Sequence, residues 1–280
     1  MTPSRDPFMI FGPAVISFSG GRTSAYMLWR VLQAHGGKLP DDVVVTFANT
    51  GREMPATLDF VQACQFAWNV PVIWLEYQRI DGKPAFEIVN HNTASRAGEP
   101  LERLFWAKSA LPNPVQRFCT IEAKIRTIKR FIVAEYGWQH WTSAIGLRAD
   151  ESRRVLKALG PQRDRWTNTC PLHEAGIEEI DVLRFWRKQS FDLRLAGSWE
   201  GNCDGCFLKN KGSISRMFKD HPVRMQWWAD QEAMKHGVGA GGKFRADRAP
   251  YAEIAQLTKD QGVLEFDYPD LPCDVAWCGA

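Results

Sequence analysis

The apolar positions of the chain alternate between short continuous runs and helical stripes. Ala14-Val15-Ile16-Ser17-Phe18-Ser19 is an apolar run stopped by Gly20-Gly21, the pattern of a buried strand ending in a tight turn. From Thr23 to Leu32 the apolar residues recur at helical spacing. Val43 to Ala48 reads as a second buried strand running into Asn49-Thr50-Gly51. A helix from about Ala56 to Trp68, opened by Met54-Pro55, separates it from a third strand at Val72 to Tyr77. Such a βαβαβ opening predicts an α/β fold with a doubly wound, mainly parallel sheet.

Between Ile80 and Gln116 the pattern is mixed, with Gly, Pro, Asn and Ser among short apolar pieces, and it predicts a flap over a site. Ile121 to Tyr136 is an amphipathic helix, Trp141 to Gly146 a fourth strand and Ile180 to Lys188 another helix. After Ala196 the chain becomes a cysteine- and tryptophan-containing tail with a Gly run from Gly237 to Gly242. The expected organisation is a nucleotide-binding domain over 1–195 and a small helical module over 196–280.

Composition narrows the setting. The 45% hydrophobic and 24% charged content of 280 residues suits a globular protein with a sizeable core. A net charge of +3 permits a nucleic-acid partner without demanding one. No apolar run reaches the roughly 18–20 residues of a membrane span. Met1 to Asp6 shows no signal-peptide pattern, so a cytoplasmic location and no membrane partner are expected. Seven cysteines, odd in number and unevenly spaced, read in that compartment as ligands, catalysts or core residues before disulfides.

The sharpest chemical signal is Ser19-Gly20-Gly21-Arg22-Thr23-Ser24, set between a strand and a helix. Glycines let backbone approach a phosphate, and the amides of the helix start, with the hydroxyls of Ser19, Thr23 and Ser24, point at the anion. The G-x-x-x-x-G-K-[ST] spacing is missing, so this is not a Walker loop. Two further polar segments end predicted strands. They are Phe47-Ala48-Asn49-Thr50-Gly51-Arg52-Glu53 and Gly146-Leu147-Arg148-Ala149-Asp150-Glu151-Ser152-Arg153. Open α/β sheets bind ligands at that end, and the arginines suit phosphate or sulfate oxygens.

In order and character these segments resemble the PP-loop proteins of the phosphoadenosine phosphosulfate (PAPS) reductase-like family. Their S-G-G-x-x-S loop, N/D-T-G-x-x-x-P-E-T segment and G-x-R-x-x-E-S-x-R stretch are matched here over roughly Phe11 to Phe207. Ala56 stands where the family often has Glu, and Arg22-Thr23 where many ATP pyrophosphatases have Lys-Asp. The resemblance implies a PP-loop, Rossmann-like fold. It implies ATP, PAPS or adenosine phosphosulfate (APS) bound by Ser19 to Ser24 and by Ala48, Asn49, Thr50 and Gly51, with Mg as a possible companion. Arg148 and Arg153 would contribute to anion binding or to transition-state charge.

The resemblance also bears on the cysteines. The cluster-bearing branch of the family carries a Cys-Cys pair on a helix and a later C-x-x-C. Cys119 matches the first of that pair, Thr120 replaces the second, and Cys203-Asp204-Gly205-Cys206 matches the C-x-x-C. A 4Fe-4S cluster on Cys119, Cys203 and Cys206, with Cys273 or Cys278 as a fourth ligand or with an open iron site, is one reading. A zinc site joining Cys170-Pro171-Leu172-His173 to the C-x-x-C is another, and unmetallated thiols a third. Cys64 reads as core.

Three functions remain open on this basis. The first is ATP-dependent adenylation linked to sulfur transfer onto DNA, tRNA or a small acceptor. The second is thiol-dependent reduction of PAPS or APS, with Cys278 in the terminal Cys-Gly as nucleophile although the family's flanking Glu and His are absent. The third is a non-catalytic nucleotide-sensing or nucleic-acid-binding role. The first two need a sulfur or electron donor, and a homo-oligomer is compatible with all three.

Overall fold

A computed structural model of the 280-residue chain describes residues 6–161, 164–234 and 242–261. The strands are β1 (Ala14–Ser17), β2 (Val43–Asn49), β3 (Val72–Ile80), β4 (Lys83–Val89), β5 (Trp141–Ile145) and β6 (Trp166–Thr169), joined in one six-stranded sheet of order β4-β3-β2-β1-β5-β6. All neighbours are parallel except β3 and β4. The expected α/β, mainly parallel, doubly wound sheet is present. Strand order reverses direction at β1, so the gap between the carboxyl ends of β1 and β5 is the topological switch point where such sheets take ligands.

The helices follow the apolar stripes. They are α1 (Arg22–Ala34), α2 (Pro55–Ala67), α3 (Glu99–Lys108), α4 (Phe118–Thr120), α5 (Arg126–Tyr136), α6 (Ser152–Leu159), α7 (Pro171–Glu174), α8 (Glu179–Trp186), α9 (Lys211–Asp220), α10 (Pro222–Ala233) and α11 (Tyr251–Gln261). A π-helical turn over Ile121–Ile125 joins α4 to α5, so the expected Ile121 to Tyr136 helix is one rod with a bulge near its start. Bulges of this kind gather at functional sites.

The segment read as a flap is built structure. After Ile80 the chain turns through Asp81 and Gly82 and returns as β4, whose exposed Pro84 is tolerated because β4 is an edge strand. Pro100 then sits in the first turn of α3, where its missing N–H costs nothing.

Three large apolar cores and a small fourth one around Ile145 and Val155 hold the layers. Phe18, Met27, Phe47, Phe60 and Trp186 pack one sheet face under α1, α2 and α8. Val15, Leu75, Phe131 and Ile132 pack the other under α5. Met54, Tyr77, Leu104 and Phe105 share a third core with Phe207, Met217, Trp228, Phe244 and Tyr251. The C-terminal helices therefore bury their apolar faces against α3 and the start of α2. Trp228 and Trp227 belong to this packing, with Trp227 against the Arg52 guanidinium at 4.9 Å. The Gly run lies mostly outside the described residues.

Candidate functional site

The loop from Ser19 to Ser24 closes on itself. Ser24 Oγ accepts from the Ser19 amide at 3.2 Å, lies 2.9 Å from Ser19 Oγ and donates to the Gly21 carbonyl at 3.0 Å. Gly20 holds φ +83°, and a Cβ there would stand 2.7 Å from Thr57 Cγ2, so backbone strain and the approach of α2 both require glycine. From the other side of the switch point, a Cβ on Gly146 would stand 2.9 Å from Ser24 Cα. Gly21 caps α1 with extended backbone and no side-chain cap bond, which leaves the first amides of α1 to be satisfied by a ligand or solvent.

Arg148, at the end of β5, reaches across that gap. Its Nη1 donates to Thr23 Oγ1 at 3.3 Å, while Nε and Nη2 hold Asp150 at 2.9 and 3.1 Å. The carboxylates of Asp150, Glu151 and Glu179 outweigh the burial that opposes its charge and raise its pKa. Arg153 is exposed on the first turn of α6, and it is the next residue, Arg154, that pairs with Glu151. Arg22 departs from expectation. Its guanidinium is bidentate to Asp192 at 2.7 and 2.8 Å and donates to the Leu193 carbonyl, so only its backbone serves the loop.

At the end of β2 the side chain of Asn49 is fully used. Its Nδ2 donates to Glu76 at 2.6 Å and to the Ser95 carbonyl, and its Oδ1 accepts from Gly51. Burial pushes the Glu76 carboxyl up, against the hydrogen bonds from Ser95 and Asn49. The backbone of Ala48 and Asn49 is what this segment leaves for a ligand. Nearby, the buried hydroxyls of Ser17, Thr46 and Ser143 have no hydrogen-bond partner among the described residues. Register places them on one sheet face, since Ser17 pairs Thr46 and Ser143 pairs Val15. The signal in the sequence was a hydroxyl residue inside each of three apolar strands, with a second, Thr142, beside Ser143 in β5.

Thr50 links this edge to the cysteines. Its Oγ1 donates to Glu53 Oε2 at 2.8 Å and lies 3.4 Å from Cys203 Sγ. Glu53 and Cys203 form an antiparallel bridge, which seats the C-x-x-C on the loop after β2. Cys119, Cys203 and Cys206 pack against the same apolar core, and Cys206 bears electrostatically on both of the other thiols. Burial pushes Cys119 up to about 12 and Cys203 higher still. Burial also opposes charge on Lys124, but Glu53, 3.4 Å from its Nζ, and the thiols of Cys203 and Cys119 prevail and raise its pKa.

Asp204, fully buried, fastens the arrangement. It accepts from Arg52 at 2.6 and 3.2 Å, from Arg224 at 2.8 Å and from Trp228 Nε1 at 2.7 Å. No motif pointed to Asp204, Glu53 or Lys124; their roles depend on segments far apart in the chain.

Thiolate sulfur is a ligand type for iron–sulfur clusters and for single soft ions alike. Cluster ligands are thiolates, and Lys124 supplies a compensating cation. Among the described residues no group of three or more His, Cys, Asp or Glu side chains could hold a single metal ion. A four-iron cluster spreads its ligand sulfurs farther apart than one ion does. The zinc set is corrected by the topology. Cys170 follows β6 and packs with Ile145, Leu147, Val155 and Ala158. Cys203 is seated on the loop after β2, and β1 and β5 separate that strand from β6. Cys64 is core, as expected. Cys273 and Cys278 lie outside the described residues. No helix among the described residues is long and apolar enough to cross a membrane.

Fold and site define a doubly wound α/β protein with a glycine loop at its switch point and a thiol-bearing module docked beside it. At 32% identity over 214 residues, 74% of this chain and 69% of the relative, it is similar to the uncharacterized nin region protein ORF290 of Escherichia phage lambda, and the chain belongs to that protein's family. It is also 22% identical over 237 residues to the uncharacterized protein MJ0066 of Methanocaldococcus jannaschii, covering 82% of this chain and 44% of that one. No family model matches. Among solved structures, the U34-tRNA thiolase NcsA from Methanococcus maripaludis with its [4Fe-4S] cluster aligns with 91% of this chain and 83% of its own. The TM-score is 0.43 and the identity 15%, too distant a likeness to carry a functional assignment.

Proposed function

We propose that the protein is an adenine-nucleotide-dependent enzyme of sulfur chemistry. It binds ATP at the Ser19–Ser24 loop, adenylates an acceptor with release of pyrophosphate, and uses the thiol centre of Cys119, Cys203 and Cys206 for the sulfur step. The observation that supports this most is the contact of Thr50 Oγ1 with Cys203 Sγ at 3.4 Å. It puts the thiol set on the loop of β2, the strand beside the one that carries the phosphate loop.

In this reading the amides at the start of α1 and the hydroxyls of Ser19, Thr23 and Ser24 take the phosphates. Arg148 balances charge that develops at the phosphorus. Backbone of Ala48 and Asn49 meets the adenosine. Cys119, Cys203 and Cys206 would hold a 4Fe-4S cluster, which when bound supplies an iron site able to take sulfide. Lys124 offsets the negative charge that the thiolates bring.

Pyrophosphate release from ATP, assayed beside sulfite release from PAPS and APS on anaerobically purified protein, tests the proposal. Pyrophosphate without sulfite is expected. Sulfite release would establish the reductase, and tight nucleotide binding without turnover the accessory role.

A further inference from the structure

We propose that the groove between the β3–β4 hairpin and α5 binds a single-stranded segment of nucleic acid. The groove has a volume of about 630 Å³, and its lining includes Arg126, Lys129, Arg130 and Arg165 and no carboxylate. Phe86 and Val133, both half-buried, are among its apolar lining residues. The groove shares no residue with the nucleotide loop or the thiol set.

Charge is concentrated here beyond what the whole chain carries. Arg126 and Arg130 share Glu122 at 2.6 and 3.0 Å, and Lys129 is 3.5 Å from Asp164, so four cations face two carboxylates. Glu122 is already held by Lys108 as well. The Arg130 side chain keeps about a quarter of its surface exposed beside Glu122, so a phosphate oxygen can approach its guanidinium from the groove.

The occupant follows from the combination. Arg126, Lys129 and Arg130 lie on one stripe of α5, and Arg126 to Arg130 spans about 6 Å of helix axis. That separation lets the two guanidiniums meet neighbouring phosphates of one strand. Phe86 offers a ring on which a base can be laid, the pairing of cationic track and aromatic surface typical of single-strand binding. A flat bilayer does not enter a concave floor, and an acidic polypeptide has no base to lay on the ring.

Fluorescence anisotropy with labelled single-stranded RNA and DNA oligonucleotides of mixed sequence tests the proposal, the two sugars distinguishing the source. Wild-type protein should bind at least one of them at low salt. The double variant Lys129→Gln/Arg165→Glu should lose about tenfold or more in affinity. Its log–log salt slope should shrink by about 1.4, or 0.7 for each lost phosphate contact on a single strand. Phe86→Ala should lose about tenfold at unchanged salt slope. ATP affinity should stay as in wild type in all of these variants, and melting temperature in the double variant, which separates a failure here from a failure of the proposed catalytic function. The proposal is overturned if wild type binds neither oligonucleotide or if the double variant binds as wild type does. It is equally overturned if poly-glutamate or phosphatidylglycerol vesicles compete as well as unlabelled strand.

Discussion

Thr50 stands between Glu53 and Cys203, donating its hydroxyl hydrogen to the carboxylate at 2.8 Å while its oxygen lies 3.4 Å from the sulfur. One short side chain thus ties the loop that ends β2 to the cysteine pair that opens the C-terminal helices. If the thiols bind iron, disturbing that seat must show in the metal.

Cys203→Ser and Cys119→Ser should each remove the broad visible absorbance and most of the iron of anaerobically purified protein. Cys170→Ser should keep both. Because Cys170 is fully buried among apolar side chains, its hydroxyl replacement should instead cost about 1–3 kcal/mol of stability in urea denaturation. Stoichiometric zinc without iron in the wild type would remove the cluster assignment.

Arg148 carries the charge nearest the phosphate loop, 3.3 Å from Thr23 Oγ1. Losing a charge-assisted contact costs on the order of 1.5–3 kcal/mol, so Arg148→Ala should weaken ATP binding or slow turnover by roughly tenfold or more. Calorimetric titration and pyrophosphate release read the two effects separately. Arg153→Ala, exposed on α6, is the comparison, and normal kinetics for Arg148→Ala would make that segment a plain surface loop.

Asp204→Ala leaves Arg52, which is itself buried, without its carboxylate. Breaking a buried pair by removing one partner costs about 3–5 kcal/mol. The variant should unfold at lower urea, and limited proteolysis should cut first after about Ala196, where the docked module begins. An unchanged urea midpoint would show that the apolar core shared by α3 and α9 to α11 holds the module without this ion pair.

Glu122 sets an acid limit. Burial by itself pushes its carboxyl up, but the hydrogen bond from Arg130 and the charges of Arg126 and Lys108 hold it below the ordinary 4.5. A carboxyl depressed on folding contributes stability above its unfolded value, and that stability is lost as pH falls through the folded one. Through Glu122, wild type should therefore lose part of its stability as pH falls below about 4.5. Glu122→Gln should be less stable at neutral pH and flatter across that acid range, as read from urea midpoints. Parallel acid profiles for the two proteins would disprove the assignment.

Local pattern was enough for the sheet and for the loop. The runs at Ala14, Val43, Val72 and Trp141 are all strands of the sheet, and the Gly-Gly turn opens α1. Buried parallel strands must be continuously apolar, and a turn needing positive φ selects glycine, so both leave a direct trace in the chain. The edge strand β4 and the short β6 left little trace, because one is half exposed with a proline and the other, Trp-Thr-Asn-Thr, is polar at three of its four positions. The split of the cysteines was undecidable locally. Cys170 and Cys203 sit in equally suggestive motifs, C-x-x-H and C-x-x-C, and only the strand order puts β6 and β2 apart, while Cys119 and Cys206 pack against one shared core.

The sequence by itself determined the buried parallel strands, the Gly-Gly loop before α1 and the presence of the thiols, since each follows from neighbours within a few residues. Tertiary structure alone decided which charges meet. It turned Arg22 away to Asp192 and Arg148 inward to Thr23, and it buried Asp204 between Arg52 and Arg224. It also set Lys124 beside Glu53, 71 residues earlier. Long side chains reach whichever partner the packed layers present, and that partner is fixed by burial and strand order rather than by spacing along the chain.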